Sequence, residues 1–249
     1  MDRIVRLVFP FGAVAMATLA VVASPVPAAD RDHLTVVELY QSQGCSSCPP
    51  ADANLNALAA SRPDVLALNF AVTYWDQLGW KDTFAKPVFT QRQWDYANAG
   101  SRHNVSTPQV IVNGRTAVVG NNLAELLGTI RQADRGNQGP EIGVRDGKVV
   151  VAGAANPRPS SVWLVRYDPR VLNVPIRAGE NGGRTIPHRN IVRSLIKLGE
   201  WNGRAMVFSI PASSDPAFRS AVIVQGGLGG PIVSARRIEF GTSNARSRS

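Results

Sequence analysis

The two cysteines of this 249-residue chain stand two residues apart, at Cys45 and Cys48, in the run QSQGCSSCPP. The pair follows an apolar, β-branched stretch, Leu34–Tyr40. It precedes a stretch in which Ala51, Leu55, Leu58 and Ala59 recur at i, i+4, i+7 and i+8. The first stretch reads as a strand and the second as a helix with one apolar face. Pro49 and Pro50 fix the start of that helix, because proline suits the first turn and breaks a hydrogen bond anywhere deeper. Sulfurs at a helix N-terminus face unpaired N–H groups and the positive end of the macrodipole, which stabilise a thiolate. Cys45 is expected to be the exposed nucleophile at the helix tip, with Cys48 the resolving partner that attacks a mixed disulfide.

The rest of the first half alternates strands and helices. Val65–Val72 is nearly continuous in apolar residues, as a strand covered on both faces should be. Val110-Ile111-Val112 and Ala117-Val118-Val119 flank Asn113-Gly114 and predict a hairpin. Asn122 is placed to cap a helix over Leu123–Ala133. Between them lie an aromatic insertion, Thr73–Asp82, and an amphipathic stretch, Ala85–Ala99, with Trp75, Trp80 and Trp94 as candidate core anchors. The order β, CxxC, α, β, insertion, hairpin, α resembles the thioredoxin fold. That resemblance implies a cis bond at Thr107-Pro108, a proline packed beside the dithiol, and a backbone before it that pairs with an extended substrate. Trp75 and Asp76, at the end of a central strand, fall where ligands gather in α/β sheets. Asp76 is a candidate proton acceptor for Cys48, and Trp75, Thr107 and Pro108 are candidate substrate contacts.

Other meanings of the cysteine pair stay open at this point. A disulfide across so short a loop stabilises little, since the entropic gain grows with loop length. A metal clip needs about four ligands. The chain offers two cysteines and only His33, His103 and His188; a copper site from both cysteines and His103 is the conceivable version. The favoured reading is a redox dithiol that needs no cofactor and no resident metal.

The N-terminus constrains the compartment. Arg3 and Arg6 precede an uncharged, mostly apolar run from Leu7 to Ala23, followed by SPVPAA. This is the layout of a secretory signal peptide over residues 1–29, with a retained membrane anchor as the alternative for a run at the short edge of spanning length; the mature chain is expected in the periplasm or outside the cell, and not integral to the membrane after cleavage. Charge then divides the chain. Residues 30–139 carry 9 Lys/Arg and 10 Asp/Glu, a net of −1; residues 140–249 carry 16 and 7, a net of +9. With the breakers of Arg135–Pro140, this predicts a thioredoxin-like domain over 30–137 and a second domain over 138–249. The second half shows short alternating runs: a hairpin at Glu141–Val151 around Asp146-Gly147, then strands at Ser161–Tyr167, Ala205–Ile210, Ser220–Gln225 and Ser234–Phe240. These predict a mainly-β, sandwich-like unit. The loop Ala178–Arg184 (AGENGGR) leads into a strand expected to carry His188, Asn190 and Val192 on one face and Arg189, Ile191 and Arg193 on the other.

The runs VELYQSQGCSSCPPADANLNALA, YWDQLGWKDTF, TQRQWDYA, STPQVIVNGR and GENGGRTIPHRNIVR together resemble the family numbered 1223 among domains of unknown function, found mainly in exported bacterial proteins. The resemblance covers nearly the whole mature chain. It implies a thioredoxin-like fold and a redox dithiol carried by Cys45, Cys48 and Pro108. The expected activity is thiol–disulfide exchange with protein thiols or disulfides; the alternative is a non-enzymatic envelope binding or assembly protein that keeps a structural disulfide. The basic second half is expected to draw anionic envelope components. Nucleic acid is not an expected partner, because no aromatic-basic interleaving marks a strand-binding groove.

Overall fold

A computed structural model describes residues 29–154 and 158–239 of the chain. Most of the expected signal segment and the polar tail from Thr242 lie outside the described residues. Among the described residues no helix is long and apolar enough to cross a membrane.

The elements run β1 (Thr35–Gln41), α1 (Pro49–Ser61), β2 (Val65–Ala71), α2 (Pro87–Ala99), β3 (Gln109–Val112), β4 (Thr116–Val118) and α3 (Leu123–Gln132). Nine strands follow: β5 (Ile142–Arg145), β6 (Lys148–Val151), β7 (Ser160–Asp168), β8 (Leu172–Pro175), β9 (Thr185–His188), β10 (Ile191–Trp201), β11 (Met206–Ser209), β12 (Arg219–Gln225) and β13 (Ile232–Ile238). Eight of the strands form one mixed sheet in the order β4-β3-β1-β2-β10-β7-β12-β13. β1 and β2 are parallel from Thr35↔Val65 to Gln41↔Ala71. β2 meets β10 in parallel at Asn69↔Ile191, where the two halves of the sequence join.

Period-two alternation sorts the core. Val37 and Leu39 of β1, with Val65 and Ala67 of β2, face Ala51, Leu55 and Leu58 of α1 and Leu126 and Ile130 of α3. Val36, Tyr40, Leu66, Leu68 and Phe70 face the other way, against Phe89 and Tyr96 of α2. That second cluster continues across the sheet to Val165, Tyr167, Val192, Ala221 and Ile223. The opposite alternation of the later strands, Val162, Leu164, Val222 and Val224, packs with Ile142, Val149, Val151 and Phe208 of a small sheet ordered β11-β6-β5.

Glu38 breaks the apolar run of β1 on the α2 side. Arg92 Nε donates to Glu38 Oε1 at 2.9 Å, and its two other nitrogens reach Gln225 and Tyr96 at 3.0 Å. Tyr96 donates its hydroxyl hydrogen to Glu38 Oε2 at 2.5 Å. A buried charge needs such a complete set of partners, and this one ties α2 to strands from both halves.

One expectation is corrected. The segment after the AGENGGR loop is not one strand: it breaks at Arg189-Asn190, where Asn190 has φ of +52°. The simple alternation of faces therefore fails, and Asn190 and Ile191 are both buried. Trp75, Trp80 and Trp94 are half-buried; Trp75 packs against the edge of the α2-side core, which Phe89 and Tyr96 fill. The break has a physical cause. Asn190 donates to Ala67 O at 2.8 Å and its own carbonyl accepts from Asn69 N, so the chain must turn to enter the sheet beside β2.

Candidate functional site

β1 delivers the chain into the loop Ser42–Cys48, and α1 leaves from it. Cys45 and Cys48 are joined as a disulfide, with Cα atoms 5.4 Å apart. Cys48 is the N-cap residue of α1, and its carbonyl accepts from the N–H groups of Ala51 and Asp52 at 3.0 and 3.1 Å. Ser47 Oγ lies 3.4 Å from Cys45 Sγ.

The Thr107-Pro108 bond is cis, as the motif implies. β3 begins one residue later, with Gln109 opposite Tyr40. Pro108 therefore stands level with Gln41, at the head of the dithiol loop. Trp75 Nε1 donates to Thr107 Oγ1 at 2.8 Å. The Cβ of Trp75 is 3.8 Å from the position a Cβ on Gly44 would take. Trp75 thus bridges the cysteine loop and the cis-proline turn, and three of the sequence-predicted residues, Trp75, Thr107 and Pro108, gather at one edge of the dithiol. Asp76 lies in the turn after β2, half-buried, its Oδ1 accepting from Asp82 N at 3.1 Å. His103 is exposed on the loop before the cis-proline.

The insertion holds the loop through Gln43. Its backbone N–H donates to Asp82 Oδ2 at 2.7 Å, and its Oε1 accepts from Trp80 Nε1 at 2.9 Å. Burial pushes the Asp82 carboxyl up, against the hydrogen bonds from Gln43 and Phe84 that pull it down.

The second half of the chain covers this site. Asn181, fully buried, donates through Nδ2 to Gln43 O at 2.9 Å and to Cys45 O at 2.8 Å. Glu180 Oε2 accepts from Ser46 Oγ at 2.6 Å and Ser46 N at 3.2 Å, and these bonds lower its carboxyl pKa. Gly179 has φ of +73°, a backbone shape that favours glycine, and a Cβ there would press on the Cβ of Trp80 at 3.2 Å. The AGENGGR loop is a cover over the dithiol loop. One expectation is overturned by it: Cys45 is not the exposed sulfur at a helix tip but 0% exposed, with Cys48 at 1%. The covering loop lies more than 130 residues away in sequence, which is why local pattern did not reveal it.

Sequence reasoning also did not single out Asp52. This aspartate sits in the first turn of α1, 1% exposed. Side chains four apart on a helix share a face, so Asp52 lies on the face of α1 that begins at Cys48. Asp52 Oδ1 accepts from Asn69 Nδ2 at 2.7 Å and meets His188 Nδ1 at 3.0 Å. Asn69 in turn accepts from Gln41 Nε2 at 3.0 Å. Asp52 Oδ2 and His188 Nε2 are buried without a hydrogen-bond partner. Burial pulls the His188 pKa down, but the charges of Asp52 and Asp82 and the Asp52 hydrogen bond outweigh it, and the net shift is upward. The available signals were the i+4 spacing from Cys48 and a polar residue on the apolar face of α1. His188 is the single histidine in the stretch that follows the cover.

The family model described as "Protein of unknown function (DUF1223)" matches residues 36–225, and the chain belongs to this family. No curated protein matches the chain. A crystal structure of a protein from Agrobacterium tumefaciens is 28% identical, with a TM-score of 0.68 over 88% of this chain and 100% of that one. HBP35 of Porphyromonas gingivalis is 11% identical, with a TM-score of 0.60 over 88% of this chain and 80% of that one; at that identity the likeness concerns the fold alone.

Proposed function

We propose that this family member is an exported thiol–disulfide oxidoreductase, periplasmic or secreted, acting on protein thiols or disulfides through Cys45 and Cys48. In this reading residues 30–137 form a thioredoxin-like unit and 138–249 a sandwich-like β unit that covers and orients it. The observation that carries the reading is the disulfide at the N-terminus of α1, level with the cis Thr107-Pro108 turn that Trp75 holds.

The exchange balances with these residues alone. In the reducing direction the Cys45 thiolate attacks a partner disulfide, forming a mixed disulfide and expelling one partner thiolate. The Cys48 thiol passes its proton to the free Oδ2 of Asp52 and attacks Cys45 Sγ. The second partner sulfur leaves as a thiolate, which takes up a proton. Two electrons pass from the dithiol to the partner, and the chain returns to the disulfide form. The oxidising direction is the reverse.

A second reading rests on a different observation. Both sulfurs are buried beneath Asn181, as a structural disulfide in a binding or envelope-assembly protein would be. One experiment separates the two. Cys48→Ala is produced in an exporting host, and proteins held covalently on Cys45 are identified, while the disulfide of the unaltered chain is titrated against glutathione. Trapped partners and a potential above about −300 mV support exchange. An empty trap and a bond that resists reduction support the structural role.

A further inference from the structure

We propose a second site, for a phosphate-bearing anion, in the groove between the C-terminal end of α1 and the starts of β10 and β12. The groove has a volume of about 730 Å³ and is lined by Arg31, Arg62, Arg189, Arg219, Arg236 and Arg237, against Asp32 and Glu239. Six positive charges less those of Asp32, Glu239 and Asp64, the partner of Arg62, leave +3.

The arginines divide into two sets. One set builds the wall. Arg237 Nη1 donates to Pro63 O at 2.7 Å, and its Nη2 reaches Val65 O. Arg236 donates to Ile142 O at 2.7 Å and pairs with Asp32 at 2.7 Å. Arg62 pairs with Asp64. The other set, Arg31, Arg189 and Arg219, has no hydrogen-bond or ion-pair partner among the described residues. Arg31 and Arg219 are exposed and Arg189 is half-buried. Tyr167 and Asn190, both nearly buried, line the groove between them.

Three unpaired guanidiniums facing one groove suit a ligand with several anionic oxygens. The planar fork of each guanidinium matches two phosphate oxygens at once, and a single carboxylate would occupy only one fork. The wall arginines raise the local potential while their own donors are spent on carbonyls and carboxylates. The groove opens at the Thr35↔Val65 end of the β1–β2 pair, whereas the dithiol loop leaves from the Gln41↔Ala71 end. At about 3.3 Å per residue the two ends are ~20 Å apart. Arg189 follows His188, the partner of Asp52, directly in sequence, but the proposed anion contacts neither cysteine, so the site does not depend on the oxidoreductase reading.

The test uses the full mature chain and two probes, pyrophosphate by calorimetry and phosphatidylglycerol vesicles by co-sedimentation. Arg189→Ala/Arg219→Ala is compared with Arg158→Ala/Arg204→Ala, a pair of exposed arginines outside the groove that removes the same charge. The expected result is at least a tenfold loss of affinity in the first variant and less than a twofold change in the second. Loss on pyrophosphate identifies a soluble phosphate ligand; loss on vesicles alone identifies a lipid headgroup. Equal loss in both variants, or no binding of either probe by the unaltered chain, overturns the site. Arg189→Gln/Arg219→Gln repeats the comparison if the alanine pair fails to fold.

Discussion

At the residue scale the exchange proposed above needs a group to take the proton of Cys48. Asp52 has an unpartnered Oδ2 in a water-excluded position one turn along α1. A positioned proton acceptor contributes about 10²–10⁴-fold. Asp52→Asn keeps the shape and the bond from Asn69 but removes the acceptor. We expect release of a mixed disulfide from Cys45 to slow about a hundredfold, with the first attack on a partner disulfide little changed. Rapid-quench trapping of the mixed disulfide measures both steps, and equal slowing of the two would count against the assignment. His188 gives a prediction in pH. Its pKa is raised above the ordinary 6.5 in the folded chain. The stability it contributes is therefore present below about pH 6.5 and is lost as pH rises through the raised value. Each pH unit of that window is worth about 1.4 kcal/mol. Melting temperature should fall across this range in the unaltered chain and stay flatter in His188→Gln; parallel profiles would remove His188 as the titrating group. Cys45, Cys48, Trp75, Thr107 and Pro108 were legible in the sequence because each belongs to a spaced motif beside a strand end. Asp52 and His188 meet across 136 residues, and no local pattern encodes such a meeting.

At the scale of elements the AGENGGR loop lies across the dithiol loop. Helix and strand periodicity located α1, β2, the β3–β4 hairpin and the Asn122 cap, whose side chain accepts from Glu125 N at 3.1 Å. Those signals are local, since the residues that pair or cap are near in sequence. The loop carries only turn chemistry, and its function lies in what it touches. Asn181 spends both of its Nδ2 hydrogens on carbonyls of the dithiol loop, Gln43 O and Cys45 O. Its Oδ1 accepts from Arg184 Nη1 at 2.8 Å. Asn181→Ala removes both bonds to the dithiol loop; Cys45 O keeps the bond from Cys48 N, and Gln43 O loses its partner at about 1–3 kcal/mol. The cover should then open more often. Reduction of the disulfide by dithiothreitol, followed by alkylation of Cys45, should accelerate at least tenfold. An unchanged rate would mean that the sulfurs are reached by another route.

At the scale of the whole molecule the strands of the two halves are laid into one sheet. The charge asymmetry and the breakers at Arg135–Pro140 speak of two units, and they report surface character and a change of local structure. They are silent about which strand edges meet. Here the edge of β2 pairs with β10 at Asn69↔Ile191, and Leu34 N donates to Ala235 O at 3.1 Å. Tyr40, Leu66 and Phe70 share their cluster with Val165, Tyr167, Val192, Ala221, Ile223, Ile232 and Ala235. Full burial of one large apolar side chain is worth about 1.5–3 kcal/mol. Uncovering part of three or four of them removes an amount comparable to the ~5–15 kcal/mol that holds a domain folded. It also bares the β2 edge as a template for aggregation. Residues 30–137 expressed alone should therefore show no cooperative thermal transition, while residues 30–249 should unfold in a single one that near- and far-ultraviolet circular dichroism report at the same temperature. A cooperative melt of the isolated segment, or two separated transitions in the whole chain, would show that the shared sheet does not couple the halves. The cover on the dithiol would then be a docked neighbour rather than part of one folding unit, and its opening would be governed by the interface alone.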